Sequence, residues 1–204
     1  MFRENLFTFP LIHPFRIMIP IQYIIKATDV AVAAEQTQTA LEAGLRWIHL
    51  SMPEASDAEV LPVAEVLRKM CSEHNATFII EDHLEVVKAV KADGAFLSAA
   101  DLPVGKARME LGEEFLLATT VHDMEDVRRW RRESADYLWL IPDPEADALI
   151  VYADTLRQMY EEDIPTPVCA VVSSFSVAAA QEILATGVRG LALNGPLAGL
   201  DLGA

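Results

Sequence analysis

Cysteine is scarce in this chain. Cys71 and Cys169 are the only two and show no CxxC spacing, so neither a cysteine metal framework nor a disulfide scaffold can be read from the sequence. Glycine is scarce too, at 9 of 204 residues. That excludes a glycine-rich fibrous chain and leaves few places where backbone approaches a phosphate closely. Basic residues number 16 against 31 acidic ones, a formal charge of -15. Such a field disfavours nucleic acid and anionic membrane surfaces, and it opposes a phosphate ligand unless a metal or a local cation offsets it. No apolar run approaches the roughly 18 residues of a membrane span. The opening stretch is apolar but broken by Pro10, His13, Pro14 and Pro20, and it lacks a small-residue cleavage site. A reduced, cytoplasmic setting is the expectation.

What is plentiful is apolar patterning, with 52% apolar residues. A chain of this length fits one domain with a sizeable core. From Ile21 onward, short runs rich in Val, Ile, Leu and Phe alternate with amphipathic stretches. The strand candidates are 21–25, 46–50, 77–81, 94–97, 115–119, 137–141, 168–172 and 190–193, and the helical patterns are 30–43, 57–74, 84–91, 104–111, 124–133, 146–161 and 176–185. Short apolar runs of this kind suit parallel strands buried on both faces. Gly44, Gly94, Gly112 and Gly187 follow helical stretches, where a left-handed turn is needed, and Ser56, Asp123 and Ser176 stand at N-cap positions. Eight strand–helix alternations predict an α/β fold, a single (β/α)8 TIM barrel over 21–204, with a doubly wound sheet as the alternative. Residues 1–20 form an N-terminal extension, and the tail after strand eight holds only a truncated final helix. Either the extension covers the barrel floor, or the gap left by that helix faces a partner subunit, or Met18 is the true start.

In such folds ligands meet the C-terminal ends of the strands. Asp82 closes strand three and Asp101 follows strand four, so two carboxylates converge on one mouth. Paired carboxylates hold Mg2+ beside a polyphosphate, with water completing the shell. The plainer reading has Asp101 capping the helix that begins near Pro103. His122 follows strand five, where a general acid or base would stand, and Thr120 offers a hydroxyl to the same mouth. The plainer reading there is a first-turn histidine bonded locally. His49 ends strand two and His83 follows strand three, bringing three imidazoles near the mouth. Ser173 and Ser174 follow strand seven, and Asn194 and Gly195 follow strand eight. Many barrels bind phosphate there, although Val172 would crowd one. Arg128, Arg129, Arg131 and Arg132 read as a solvated helix face with i,i+4 pairs. Trp47, Trp130 and Trp139 read as packing residues.

The stretch IIEDHLEVVKAVKADGAFLSAADLPVGKAR (79–108) is similar to IINDRVDLAL...ADGVHLGQEDLP...AR, and LLATTVHDMEDV (116–127) to IIGVSTHS-type sequence. ADYLWLIP and ATGVRGLALNGPL match later segments of the same pattern. From Ile21 to Leu197 the chain therefore resembles the thiamine-phosphate synthase family, which includes the thiazole tautomerase TenI. The resemblance implies a (β/α)8 barrel that takes small-molecule ligands. It implies that Asp82 and Asp101 hold Mg2+ on the pyrophosphate of a hydroxymethylpyrimidine substrate. Thr120 stands where a serine contacts that pyrophosphate, and His122 matches a histidine that the tautomerase uses. Partners consistent with this reading are a small molecule and a second copy of the chain or another thiamin-pathway protein, with no role for nucleic acid or membrane.

The departures fall on the phosphate grip. The family's QLREK reads HLSMP (49–53), so Ser51 and Pro53 replace the pyrophosphate-binding arginine and lysine. Glu81 and His83 replace the asparagine and arginine that flank the metal aspartate. The lysine-bearing TKTK reads DPEAD (143–147), and IGGI reads VVSS (171–174). Lys26, Lys106 and Arg108 are the cations left near the mouth in sequence. A charge-assisted hydrogen bond is worth roughly 1.5–3 kcal/mol, so losing two or three costs on the order of 10³-fold or more in binding or rate. The sequence points to a synthase-like barrel with a disabled synthase site. An active synthase and a His122-dependent isomerase are the alternatives.

Overall fold

The computed structural model describes residues 21–98, 103–131 and 135–197. The N-terminal extension, Asp101, Arg132 and the tail from 198 onward lie outside the described residues. Eight strands are present: β1 (Ile21–Ile25), β2 (Trp47–Leu50), β3 (Thr77–Glu81), β4 (Gly94–Leu97), β5 (Leu116–Val121), β6 (Tyr137–Leu140), β7 (Val168–Val172) and β8 (Gly190–Leu193). All pair in parallel in chain order, and β8 returns to β1. That closed barrel removes the doubly wound alternative. Among the described residues seven helices alternate with the strands: α1 (Val30–Glu42), α2 (Asp57–Glu73), α3 (Leu84–Val90), α4 (Val104–Leu111), α5 (Met124–Arg131), α6 (Ala148–Glu161) and α7 (Val177–Ala185). None of them is long and apolar enough to cross a membrane.

Local chemistry sets the helix ends. Ser56 and Glu59 form a capping box at the start of α2, and the Ser176 hydroxyl accepts the Ala179 N–H at the start of α7. The Asp123 carboxylate accepts the amides of Glu125 and Asp126. Asp147 caps α6, which is why that helix begins two residues later than its apolar pattern suggests. Gly44, Gly112 and Gly187 take φ of +90°, +99° and +105°. Gly94 does not belong with them. Lys91, at φ +53°, ends α3, and Gly94 opens β4, where a Cβ would stand 2.1 Å from the Leu116 carbonyl oxygen. Its lack of a side chain serves close strand approach rather than a turn.

The alternation of side chains along each strand divides the core in two. One set packs between strands and helices. The other, including Ile24, Trp47, Ile79, Phe96, Ala118, Trp139 and Ala192, fills the barrel. Its centre is aromatic: Phe96 and Trp139 have ring centroids 4.0 Å apart, and Trp47 meets Tyr137 edge-on at 5.4 Å. The Trp139 indole donates to Gln22 Oε1 at 3.1 Å, so its buried N–H is satisfied. A solid floor thus lies beneath the mouth. Burial pushes the thiols of Cys71 and Cys169 up to about 12, which leaves both inert as nucleophiles.

The arginines gather at the opposite end. Arg108 pairs with Asp136 at 2.6 Å and donates to the Phe115 and Gly112 carbonyls. Arg68 pairs with Asp93 at 2.7 Å, and Arg46 donates to the carbonyls of Leu41 and Leu45. All of these contacts sit where the chain enters strands. In a (β/α)8 barrel that end stabilises the fold, whereas the chemistry occurs at the other. Arg108 is therefore remote from the mouth. Arg128 reaches across to Glu162 rather than to an i+4 partner on its own helix.

Candidate active site

Continuing the inward phase of each strand by one step gives the ring around the mouth. The inward residues Ile24, His49, Ile79, Phe96, Ala118, Trp139, Val171 and Ala192 are followed, two positions on, by Lys26, Ser51, Glu81, Ser98, Thr120, Ile141, Ser173 and Asn194. Most of this ring is hydroxyl or amide. It holds one carboxylate, Glu81, and one ammonium, Lys26.

Glu81 is the site residue that composition and spacing did not single out. It ends β3, is only 9% exposed, and its Oε2 lies 3.5 Å from Nε2 of His49. His49 is fully buried, its ring 4.8 Å from Trp139 and 5.2 Å from Phe96. The 3.5 Å contact is ion-pair range, and among the described residues neither ring nitrogen of His49 has a hydrogen-bond partner. Burial alone would raise the Glu81 carboxyl. The His49 ring and the Ser51 and Ser98 hydroxyls outweigh burial and hold it below the ordinary carboxylate range. The result is an ionised, nearly dry carboxylate at the rim. Strand phase alone would have exposed it, since Glu81 lies two residues beyond the inward Ile79.

Asp82 takes φ +62°, a left-handed conformation uncommon outside glycine. Its two carboxylate oxygens accept the Ser98 N–H, at 2.8 Å, and the Ser98 hydroxyl. The carboxylate thus ties the end of β3 to the loop after β4. His83 turns away into a bridge. Its Nδ1 lies 2.6 Å from Asp57 and its Nε2 3.0 Å from the Met52 carbonyl. Both nitrogens face oxygen acceptors, and the ring staples the β2–α2 loop to β3.

His122 is exposed just past β5. Its Nδ1 lies 2.9 Å from the Ile141 carbonyl and its amide donates to Asp126. A carbonyl only accepts, so Nδ1 donates, and the neutral ring carries its lone pair on Nε2. Thr120 is half-buried on the same strand. Ser173, Ser174 and Asn194 are exposed at the mouth. Ser173 and Ser174 line a cavity of about 280 Å³ with Val172, Phe175 and Ile183. Gly195 has a packing reason: a Cβ there would stand 2.0 Å from the Ser173 carbonyl oxygen. The two aspartates of DPEAD serve the backbone, with Asp143 accepting the Glu145 N–H and Asp147 capping α6.

The structure brings Asp82, Thr120, His122, Ser173 and Asn194 to one end of the barrel and places His49 below them. Among the described residues, no group of three or more His, Cys, Asp or Glu side chains is arranged to hold a metal ion. Asp82 alone of the expected metal pair is described, and its carboxylate accepts from Ser98.

Comparison with known proteins agrees with this architecture. A family model described as thiamine monophosphate synthase matches residues 21–196. A thiamine-phosphate synthase of Bacteroides fragilis is 36% identical over 189 residues, covering 88% of this chain and 92% of the relative. One from Bacteroides thetaiotaomicron is 36% identical over 191 residues, 88% of this chain and 90% of its own length. The solved thiamine phosphate pyrophosphorylase of Pyrococcus furiosus superposes with a TM-score of 0.73 at 26% identity, covering 89% of this chain and 88% of that one. A Geobacillus kaustophilus 3-dehydroquinate dehydratase, at 13% identity and a TM-score of 0.68, shares the fold alone. With a family model spanning nearly the whole described barrel and relatives above one-third identity, the chain belongs to the thiamine monophosphate synthase family.

Proposed function

We propose that this protein handles the small-molecule precursors of thiamin at its barrel mouth with a weakened diphosphate grip, so that synthase turnover is slow or abolished. One observation carries this reading. Ser51, 8% exposed, bears on the Glu81 carboxylate at the place where the family pattern carries an arginine, and Pro53 stands in place of the lysine. Departure of pyrophosphate needs developing negative charge to be stabilised. An ionised Glu81 works against that charge. Two lost charge-assisted hydrogen bonds amount to roughly 3–6 kcal/mol, about 10²- to 10⁴-fold in rate. Where Mg2+ is bound, Asp82 is the described residue that would hold it, and the ion would supply charge neutralisation to the diphosphate.

The test is direct. Purified protein is mixed with hydroxymethylpyrimidine pyrophosphate, thiazole phosphate and Mg2+, and pyrophosphate release is followed. A rate equal to that of a family member with the arginine and lysine in place would refute the reading.

A second reading rests on His122. With Nδ1 facing the Ile141 carbonyl, Nε2 would serve as a general base for a tautomerase-type proton shift that needs no diphosphate grip. If His122→Ala turned over a thiazole phosphate tautomer as fast as the parent, that reading would fail.

A further inference from the structure

We infer that Lys26 is the anion-holding residue of this mouth, and that the phosphoryl group of a small-molecule ligand sits on the arc formed by β8, β1 and β2. This inference rests on the reading above and names the residue through which the remaining grip operates.

The placement follows from strand phase. Gln22 donates toward Cys169 and accepts from Trp139, so it points into the barrel. Ile24 belongs to the interior cluster. Lys26 is the next residue in that phase, and it leaves the sheet at the rim, where the Ile25 carbonyl takes the Ser51 N–H at 2.8 Å. It is exposed, and no ion pair or side-chain hydrogen bond holds it among the described residues. Other cations are committed elsewhere. Arg46, Arg68 and Arg108 serve the far end of the barrel, Lys88 pairs with Glu85 and Glu110, and Arg157 pairs along its own helix. Lys26 is the one ammonium in the inward ring of the described residues.

Its neighbours suit an anion. Asn194 stands just past β8 to one side and Ser51 just past β2 to the other, so an amide adjoins the ammonium directly, while the Ser51 hydroxyl bears on Glu81. Glu81 is one strand further on, roughly 10 Å away at ordinary strand spacing. Its carboxylate repels an anion from the β3 side and confines it to the Lys26 side. A lysine is a compact point charge on a flexible stem, so it compensates for a missing arginine without reproducing its bidentate geometry.

The test is calorimetry on the full chain at low salt with inorganic pyrophosphate and inorganic phosphate, with and without Mg2+. Wild type binds pyrophosphate. Lys26→Ala weakens it about 10- to 100-fold, and Lys26→Arg retains it within a few-fold. Glu81→Gln tightens it, and Lys106→Ala, on α4, leaves it unchanged. Thermal melts confirm that each variant folds. Equal affinity in wild type and Lys26→Ala, or no binding of either anion to wild type, overturns the inference. Turnover of the thiamin precursors is measured in parallel to separate the two readings. Slow or absent wild-type turnover together with pyrophosphate affinity indifferent to Lys26→Ala removes this residue and leaves the proposed function. Wild-type turnover at full family rate, with pyrophosphate binding still dependent on Lys26, removes the proposed function and leaves the residue.

Discussion

Restoring the lost charges is the sharpest probe of this site. Ser51→Arg with Pro53→Lys returns the two cations to the end of β2. Each charge-assisted contact to diphosphate contributes roughly 1.5–3 kcal/mol, so the pair should raise synthase turnover about 10²- to 10⁴-fold. The structure also predicts a shortfall. Ser51 bears on Glu81, so a guanidinium at position 51 meets that carboxylate first. At about 4 Å and an effective dielectric of 20, two unit charges attract by ~4 kcal/mol, enough to cancel the contribution of one restored contact. The double variant should therefore gain only about 10- to 100-fold, the share of one contact, and adding Glu81→Asn should release the full effect. The assay is pyrophosphate release from both substrates with Mg2+, alongside melts to show that the triple variant is folded. A folded triple variant with no gain over wild type would refute the view that missing cations limit the reaction. A double variant as fast as the triple would refute the role assigned to Glu81.

Three further outcomes follow from the geometry. The Glu81 carboxyl is depressed in the folded state, so its stabilising contribution is full above the ordinary carboxylate range and is lost as pH falls through the lower, folded value; Glu81→Gln should remove that part of the acid dependence, and urea titrations that show identical pH profiles would contradict it. Arg108→Ala leaves Asp136 with an uncompensated, largely buried charge and should cost about 3–5 kcal/mol in urea unfolding, without changing pyrophosphate affinity in calorimetry. Gly94→Ala forces a methyl against the Leu116 carbonyl oxygen, 2.1 Å from the ideal Cβ, and should lower stability by about 1–3 kcal/mol, whereas an unchanged melt would show that β4 and β5 part easily.

The barrel was legible because its signals are local. Runs such as FII (78–80) and LLA (116–118) are apolar on both faces, as strands must be when helices cover one side and a packed interior the other. Ser56, Asp123 and Ser176 announce helix starts because a side-chain oxygen there satisfies amides one turn away. Gly94 was misplaced because a glycine needed for close strand approach and one needed for a left-handed turn look the same in sequence.

The site divides along the same line. Residue order alone put Asp82, Thr120, His122, Ser173 and Asn194 at strand ends, and closure of the barrel made those ends one mouth. Which groups answer one another there was decided by strand phase and register. His49 sits one step below the rim and Glu81 on it, so a pair 32 positions apart in sequence meets across β2 and β3. His83, one residue beyond Glu81, turns the other way to bind Asp57 and Met52. Arg108 looked near the mouth in sequence, but α4 and β5 carry it to the opposite end, where Asp136 and two carbonyls hold it. The chain's composition determined that positive charge would be short. Only the three-dimensional path of each strand decided where the little that remains is placed, because side-chain direction reverses at every residue and charge acts through space rather than along the chain.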